Sequence, residues 1–179
     1  MKNPKYSLRK EDDRYYVLCQ DSYVETPKGN KLSTTHEDLA AELLKALGNG
    51  ESPESPASVL GFHYFYLDEG DQEETLRKQF EILPIDCFES DPYLMLGQDA
   101  PAGDSAAAAR HYFETIPGYL AALPLHKLIA YAALWSASDS LMLPYHVITR
   151  DIRSEDIPDA EELLPVIQAF RRYFSFEEV

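Results

Sequence analysis

The sequence predicts an α+β fold: a small N-terminal antiparallel β-meander followed by a larger, mostly helical part. Three observations predict it. Aromatic and β-branched runs alternate with turn signals from residue 6 to residue 33. Apolar residues at helical spacing fill most of the chain beyond. Hydrophobic residues make up 45% of 179 residues, enough for a sizeable core. The expected division is residues 1–50, the meander with its first helix, and residues 51–179, a helical subdomain.

Tyr15 to Leu18 reads as a strand, and Asp21-Ser22 as a turn. Tyr23 to Thr26 reads as a second strand, and Lys31 to Ser33 as a third. Between them stands Pro27-Lys28-Gly29-Asn30, where Pro presets φ and Gly accepts positive φ. Tyr6-Ser7-Leu8 adds a fourth strand. Thr34 and Glu37 fit a capping box, and Leu39, Ala40, Leu43, Leu44 and Leu47 continue as a helix that Gly48 ends. Ser55-Pro56 predicts the start of a second helix, rich in bulky side chains through Asp68 and Glu69. Residues 71–83 predict a third, amphipathic through Leu76, Phe80 and Leu83. Residues 84–104 are broken by proline and glycine, with Tyr93 to Leu96 as a strand or a buried turn. A helix resumes from Asp104, with a kink or break expected at Pro117-Gly118. The most apolar helix follows from Pro124, expected at the centre of the core and ended by Pro144. Ser154 or Asp156 is the expected cap of a last helix, which presents Leu163, Val166, Ile167, Phe170 and Phe174 on one face.

Charge narrows the partners. The chain carries −15, and residues 51–104 hold thirteen acidic residues against two basic ones. Such a field repels a phosphate backbone and an anionic membrane surface, so nucleic acid and membrane are poor partners. No apolar run approaches the roughly 20 residues needed to span a bilayer, and the first residues lack the apolar stretch of a secretory signal. Cys19 and Cys87 stand apart, each expected as a small buried hydrophobe, which fits a reduced cytoplasmic protein.

The chain holds no recognisable catalytic motif. His36, His63, His111, His126 and His146 show no metal-ligand spacing, and His63, set among aromatics, is expected as a hydrogen-bonded core histidine. Phosphate-loop and serine-elbow patterns are missing. Within Trp135 to Ser140, the serines are expected to bond back to the preceding helical turn, and Asp139 is the one candidate for a buried acid. Adjacent acid pairs such as Asp68-Glu69 and Glu73-Glu74 do not face each other on a helix, so they predict solvated faces and caps.

Three segments in order carry a resemblance. The first holds Thr26-Pro27, Gly29, Leu32 and Leu39-Ala40. The second runs from Ser55 to a helix-ending aspartate, Asp68. The third is the apolar stretch with Ser140, Leu141 and Leu143. Together they resemble the assembly chaperones that hold the α subunit of F-type ATP synthase before its ring is built. The sequence departs from that family where Leu47 replaces a tryptophan, and its C-terminal acidic and aromatic tail is reduced. The resemblance implies a protein-binding function without catalysis or cofactor, the α subunit as client, and an apolar contact surface with an acidic rim. Tyr64, Phe65 and Tyr66, with Asp68, Glu69 and Glu73, are the candidate client contacts; ordinary core is the competing reading of the aromatics. Because residues 1–50 are electrically balanced, that surface is expected outside the meander.

Two other readings stand beside it. A small cytoplasmic enzyme would need an acid or histidine site assembled in three dimensions, with a deep pocket around a titrating group of shifted pKa. A structural domain would show a large self-complementary interface.

Overall fold

A computed structural model describes residues 6–96, 104–150, 152, 156–157, 160–177 and 179. The α+β expectation holds: an N-terminal antiparallel sheet precedes a mostly helical part. Strand β1 (Tyr6–Glu11) pairs with β2 (Arg14–Cys19) along its full length, from Tyr6 opposite Cys19 to Glu11 opposite Arg14. The opposite edge of β2 is shared. Strand β3 (Ser22–Tyr23) takes its C-terminal end and β4 (Ser33–Thr34) its N-terminal end. Three backbone bonds close the junction: Val24 N–H to the Val17 carbonyl at 2.9 Å, Val17 N–H to Leu32 at 3.0 Å, and Leu32 N–H to Val24 at 2.8 Å. Residues 25–31 therefore leave the sheet as a separate hairpin, joined by the Glu25–Lys31 bridge. The second and third strands are shorter than the sequence predicts, because the chain turns out of the sheet at Val24.

Helix α1 (Glu37–Gly48) lays Leu39, Ala40, Leu43 and Ala46 against the sheet. The predicted capping box does not form. Thr34 is buried in β4 and its hydroxyl accepts the His36 N–H, while Glu37 accepts from the Tyr15 hydroxyl at 2.9 Å. Gly48 is the last helical residue, and Gly50 supplies the left-handed turn, φ +75°, after it. Helix α2 (Val59–Glu69) starts later than Pro56, because the Ser58 side chain caps it by accepting the Leu60 N–H at 3.1 Å.

A 3₁₀ turn (Gly70–Gln72) leads to α3 (Glu73–Glu81) and α4 (Asp86–Glu89). Tyr93 to Leu96 is turn, not strand. Helix α5 (Ser105–Ala121) runs unbroken through Pro117. The apolar stretch after it is two helices, α6 (Leu125–Ser138) and α7 (Met142–Thr149). The break falls at Asp139, whose φ is +51°, and Pro144 sits inside the first turn of α7. Proline is tolerated there because those N–H groups have no helical partner. Asp139 is exposed; among the described residues the buried acid is Asp91, which accepts the Ser140 hydroxyl at 2.8 Å and the Met142 N–H at 3.0 Å. The Ser138 hydroxyl bonds back to the Leu134 carbonyl at 2.7 Å, as expected. Helix α8 (Ala160–Phe174) closes the fold. Asp156 stands ahead of it, and Ser154 lies outside the described residues.

Among the described residues, two apolar clusters form the interior. The first joins the sheet and α1 to α2 and α8, with Phe62 stacked on Tyr173 at 5.8 Å and tilted against Phe170 at 6.1 Å. The second gathers Phe80, Phe88, Tyr112 and Leu120 from α3, α4 and α5. Helix α6 feeds both: Ala130 and Leu134 face the first, Leu128 and Tyr131 the second. Cys19 and Cys87 are half-buried free thiols, more open than predicted.

Candidate functional site

The hairpin 25–31 is shaped by its own sequence. The Gly29 N–H reaches the Thr26 carbonyl at 2.9 Å, and the Thr26 N–H reaches Asn30 at 2.8 Å. This is a three-residue loop over Pro27, Lys28 and Gly29, and Gly29 takes the left-handed position at φ +84°. The loop is fastened to the end of α2. The Asp68 carboxylate accepts from the Thr26 hydroxyl, from Asn30 Nδ2 at 2.9 Å and from the Lys28 N–H at 3.3 Å. In return, Asn30 Nδ2 donates to the Leu67 carbonyl at 3.0 Å and Lys28 Nζ to the Asp68 carbonyl at 2.9 Å. The last carbonyls of α2, which have no partner in their own helix, are thus capped from the sheet side, by a cation at the negative end of the helix. Lys28 also pairs with Glu69 at 2.9 Å, and chiefly this bond holds its ammonium above the usual lysine range.

Beside this latch lies a groove of about 420 Å³. Its floor is made where α2 meets α6 and both carry small residues: Gly61 on one, Ala133, Ser136 and Ala137 on the other. Pro53 and Pro56 wall one end, Phe65 one side and Pro27 of the hairpin the other end. Gly61 has a steric reason. A Cβ there would lie 2.1 Å from the Ser55 carbonyl oxygen, so the loop 53–56 crosses directly over it. Carboxylates stand at both ends, Glu54 by the loop and Asp68 and Glu69 by the hairpin.

Of the residues predicted as contacts, the structure brings Tyr64, Phe65, Asp68 and Glu69 to this groove. Phe65 is 41% exposed, one of few large apolar side chains open to solvent among the described residues, whereas Tyr64 is buried except at the lining. Tyr66 turns away and packs on His63 and His126 at 5.7 and 6.3 Å. Glu73 is on α3, bonded to Arg77 at 2.8 Å. Sequence reasoning missed Pro27, Gly61 and the α6 small residues, and the participation of Pro27 brings the meander into the groove after all. The only signal for the α6 residues was the run of small side chains in "AALWSAS", which equally signals close packing.

The strongly perturbed histidines lie elsewhere. His63 is fully buried between Tyr173 and the Ser33 carbonyl. Its Nε2–H donates to Ser33 at 2.9 Å, and Nδ1 accepts the Tyr173 hydroxyl at 3.1 Å. Burial drives its pKa down to about 4. His146 is also driven to about 4 by burial, with nearby Arg150 adding to the effect. Its ring approaches the Tyr93 and Leu94 carbonyls without reaching hydrogen-bond geometry. Both are neutral core rings. No histidine or cysteine lines the groove, and no group of three His, Cys, Asp or Glu among the described residues is placed to hold a metal. No helix among them is long and apolar enough to cross a membrane. Comparisons with protein-family models, with curated proteins and with solved structures find no match.

Proposed function

We propose that the chain is a protein-binding assembly chaperone of the kind that holds the α subunit of F-type ATP synthase, acting in the cytoplasm by binding rather than catalysis. One observation carries this reading. Two of the segments that carry the family resemblance, the Thr26-Pro27-Gly29 turn and the helix-ending Asp68, are far apart in sequence yet hydrogen-bonded in space. A motif pair that builds one local structure is stronger support than two separate turn and packing residues. The groove beside it adds a surface of suitable character, apolar within and acidic at its ends, which favours association with a client and discourages contact between copies of a chain carrying −15.

The enzyme reading has no comparable support: the histidines of shifted pKa are sealed inside the core, away from the groove. The test is an affinity pull-down from native lysate, followed by binding to purified ATP synthase α subunit. Capture of that subunit, and suppression of its aggregation at equimolar chaperone, is the expected result. Failure to bind it in purified form overturns the reading.

A further inference from the structure

The groove between α2 and α6 has dimensions and charges that select an occupant. Nine residues of α2, Gly61 to Glu69, run along it, a length of about 12 Å at the helical rise of 1.5 Å per residue. Glu54 marks the Gly61 end, since its neighbour Ser55 lies over that glycine. Asp68 and Glu69 mark the other end. Lys28 is the cation at that end, and it is engaged with Glu69 and the Asp68 carbonyl. Among the described residues, acid therefore exceeds base along the rim. Between the ends the surface is Phe65 and the small side chains of α6, with the three prolines closing the ends. A volume of about 420 Å³ lies in the range of pockets that enclose a small molecule, which is about the bulk of a few side chains. An extended chain covers about 12 Å in roughly four residues.

We propose that this groove binds an extended apolar segment of a client protein, with basic residues about four positions apart at its two ends. The apolar side chains lie over Ala133 and Ala137 against Phe65, while one cation meets Glu54 and the other meets Glu69 beside Lys28. The hairpin latch holds one wall in place, and the Ser55 crossing holds the other. This inference rests on the binding reading above and adds the chemistry of the recognised segment.

The test uses the full chain and two labelled peptides, Lys-Leu-Phe-Leu-Lys and the same core flanked by glutamate, titrated by fluorescence anisotropy. The lysine-flanked peptide is expected to bind at least about tenfold tighter, and to weaken as salt is raised. Ala137→Trp, which fills the groove from an exposed position, is expected to weaken it about tenfold, and Glu54→Lys several-fold. Circular dichroism checks that both variants fold. Hydrogen exchange on the unaltered chain keeps the test open if they do not, with peptide-induced protection expected in 53–65 and 133–137. Equal binding of the two peptides overturns the proposal, as does undiminished binding to folded Ala137→Trp, protection elsewhere, or closure of the groove by a second copy of the chain in sedimentation. Peptide binding without capture of the ATP synthase α subunit sinks the chaperone assignment alone. Capture of that subunit unaffected by Ala137→Trp sinks the groove alone.

Discussion

Protonation of His63 sets a pH limit on the fold. In the native state its pKa is about 4, against 6.5 for the free ring, because full burial penalises the cation. The unfolded chain therefore takes up the proton first as pH falls. Stability from this residue is complete above pH 6.5 and is lost progressively towards pH 4. Working the linkage between pH 7.5 and pH 5 gives a loss of about 2 kcal/mol from this one ring. The perturbation is His63→Gln, which removes the titration while keeping a side chain able to hydrogen-bond. The variant is less stable than the wild type at both pH values, but the gap narrows by about 2 kcal/mol at pH 5, or roughly 1 M in urea midpoint for a chain of this size. Urea titrations followed by circular dichroism measure the gap. Acid relief of the overall −15 charge affects both proteins and cancels in the comparison. A gap that stays constant between the two pH values, or a His63 resonance titrating near pH 6.5 in the folded protein, refutes the reasoning.

Further outcomes follow from other contacts. Asp68→Ala removes the acceptor shared by Thr26, Lys28 and Asn30, so it should cost about 1–3 kcal/mol and speed amide exchange at Lys28 and Asn30 without touching β1. Asp91→Ala leaves the buried Ser140 hydroxyl and the Met142 N–H without their carboxylate, a loss of about 2–4 kcal/mol by thermal or urea melting. Tyr173→Phe strips the donor from His63 Nδ1 while keeping the ring, and should cost about 1–2 kcal/mol, far less than the roughly 3–5 kcal/mol of Phe170→Ala. Gly61→Ala should displace the 53–56 loop and alter binding at the groove more than it alters the melting midpoint, because the clash is with a loop carbonyl on the surface side.

The fold was legible where local chemistry and tertiary structure agree. Pro27 and Gly29 announce their turn because the loop needs one fixed and one left-handed φ. Helix α8 declares itself by its apolar stripe. Misreadings fall where a local signal is claimed by a distant partner. Thr34 has a capping side chain, yet β2 recruits it into the sheet. Pro144 looks like a stop, but the left-handed Asp139 had already ended α6 and a new helix begins before the proline. The acidic end of the groove was readable in Asp68 and Glu69, since charge and aromatics are visible in one stretch. Its floor was not. Gly61 matters for the room it leaves the crossing loop, and Ala133 and Ala137 for the space above them, which exists only once α2 and α6 cross.

Helix α6 serves two interiors at once, with Leu134 in one and Tyr131 in the other. Neither interior can melt while the other keeps its half of that helix, so the chain should unfold as one cooperative unit rather than in halves. Anything that settles on the remaining face of α6 raises the free energy of that single transition by RT ln(1 + [L]/Kd). A thermal shift of the entire protein is then a direct gauge of occupancy, legible without knowing beforehand what the occupant is.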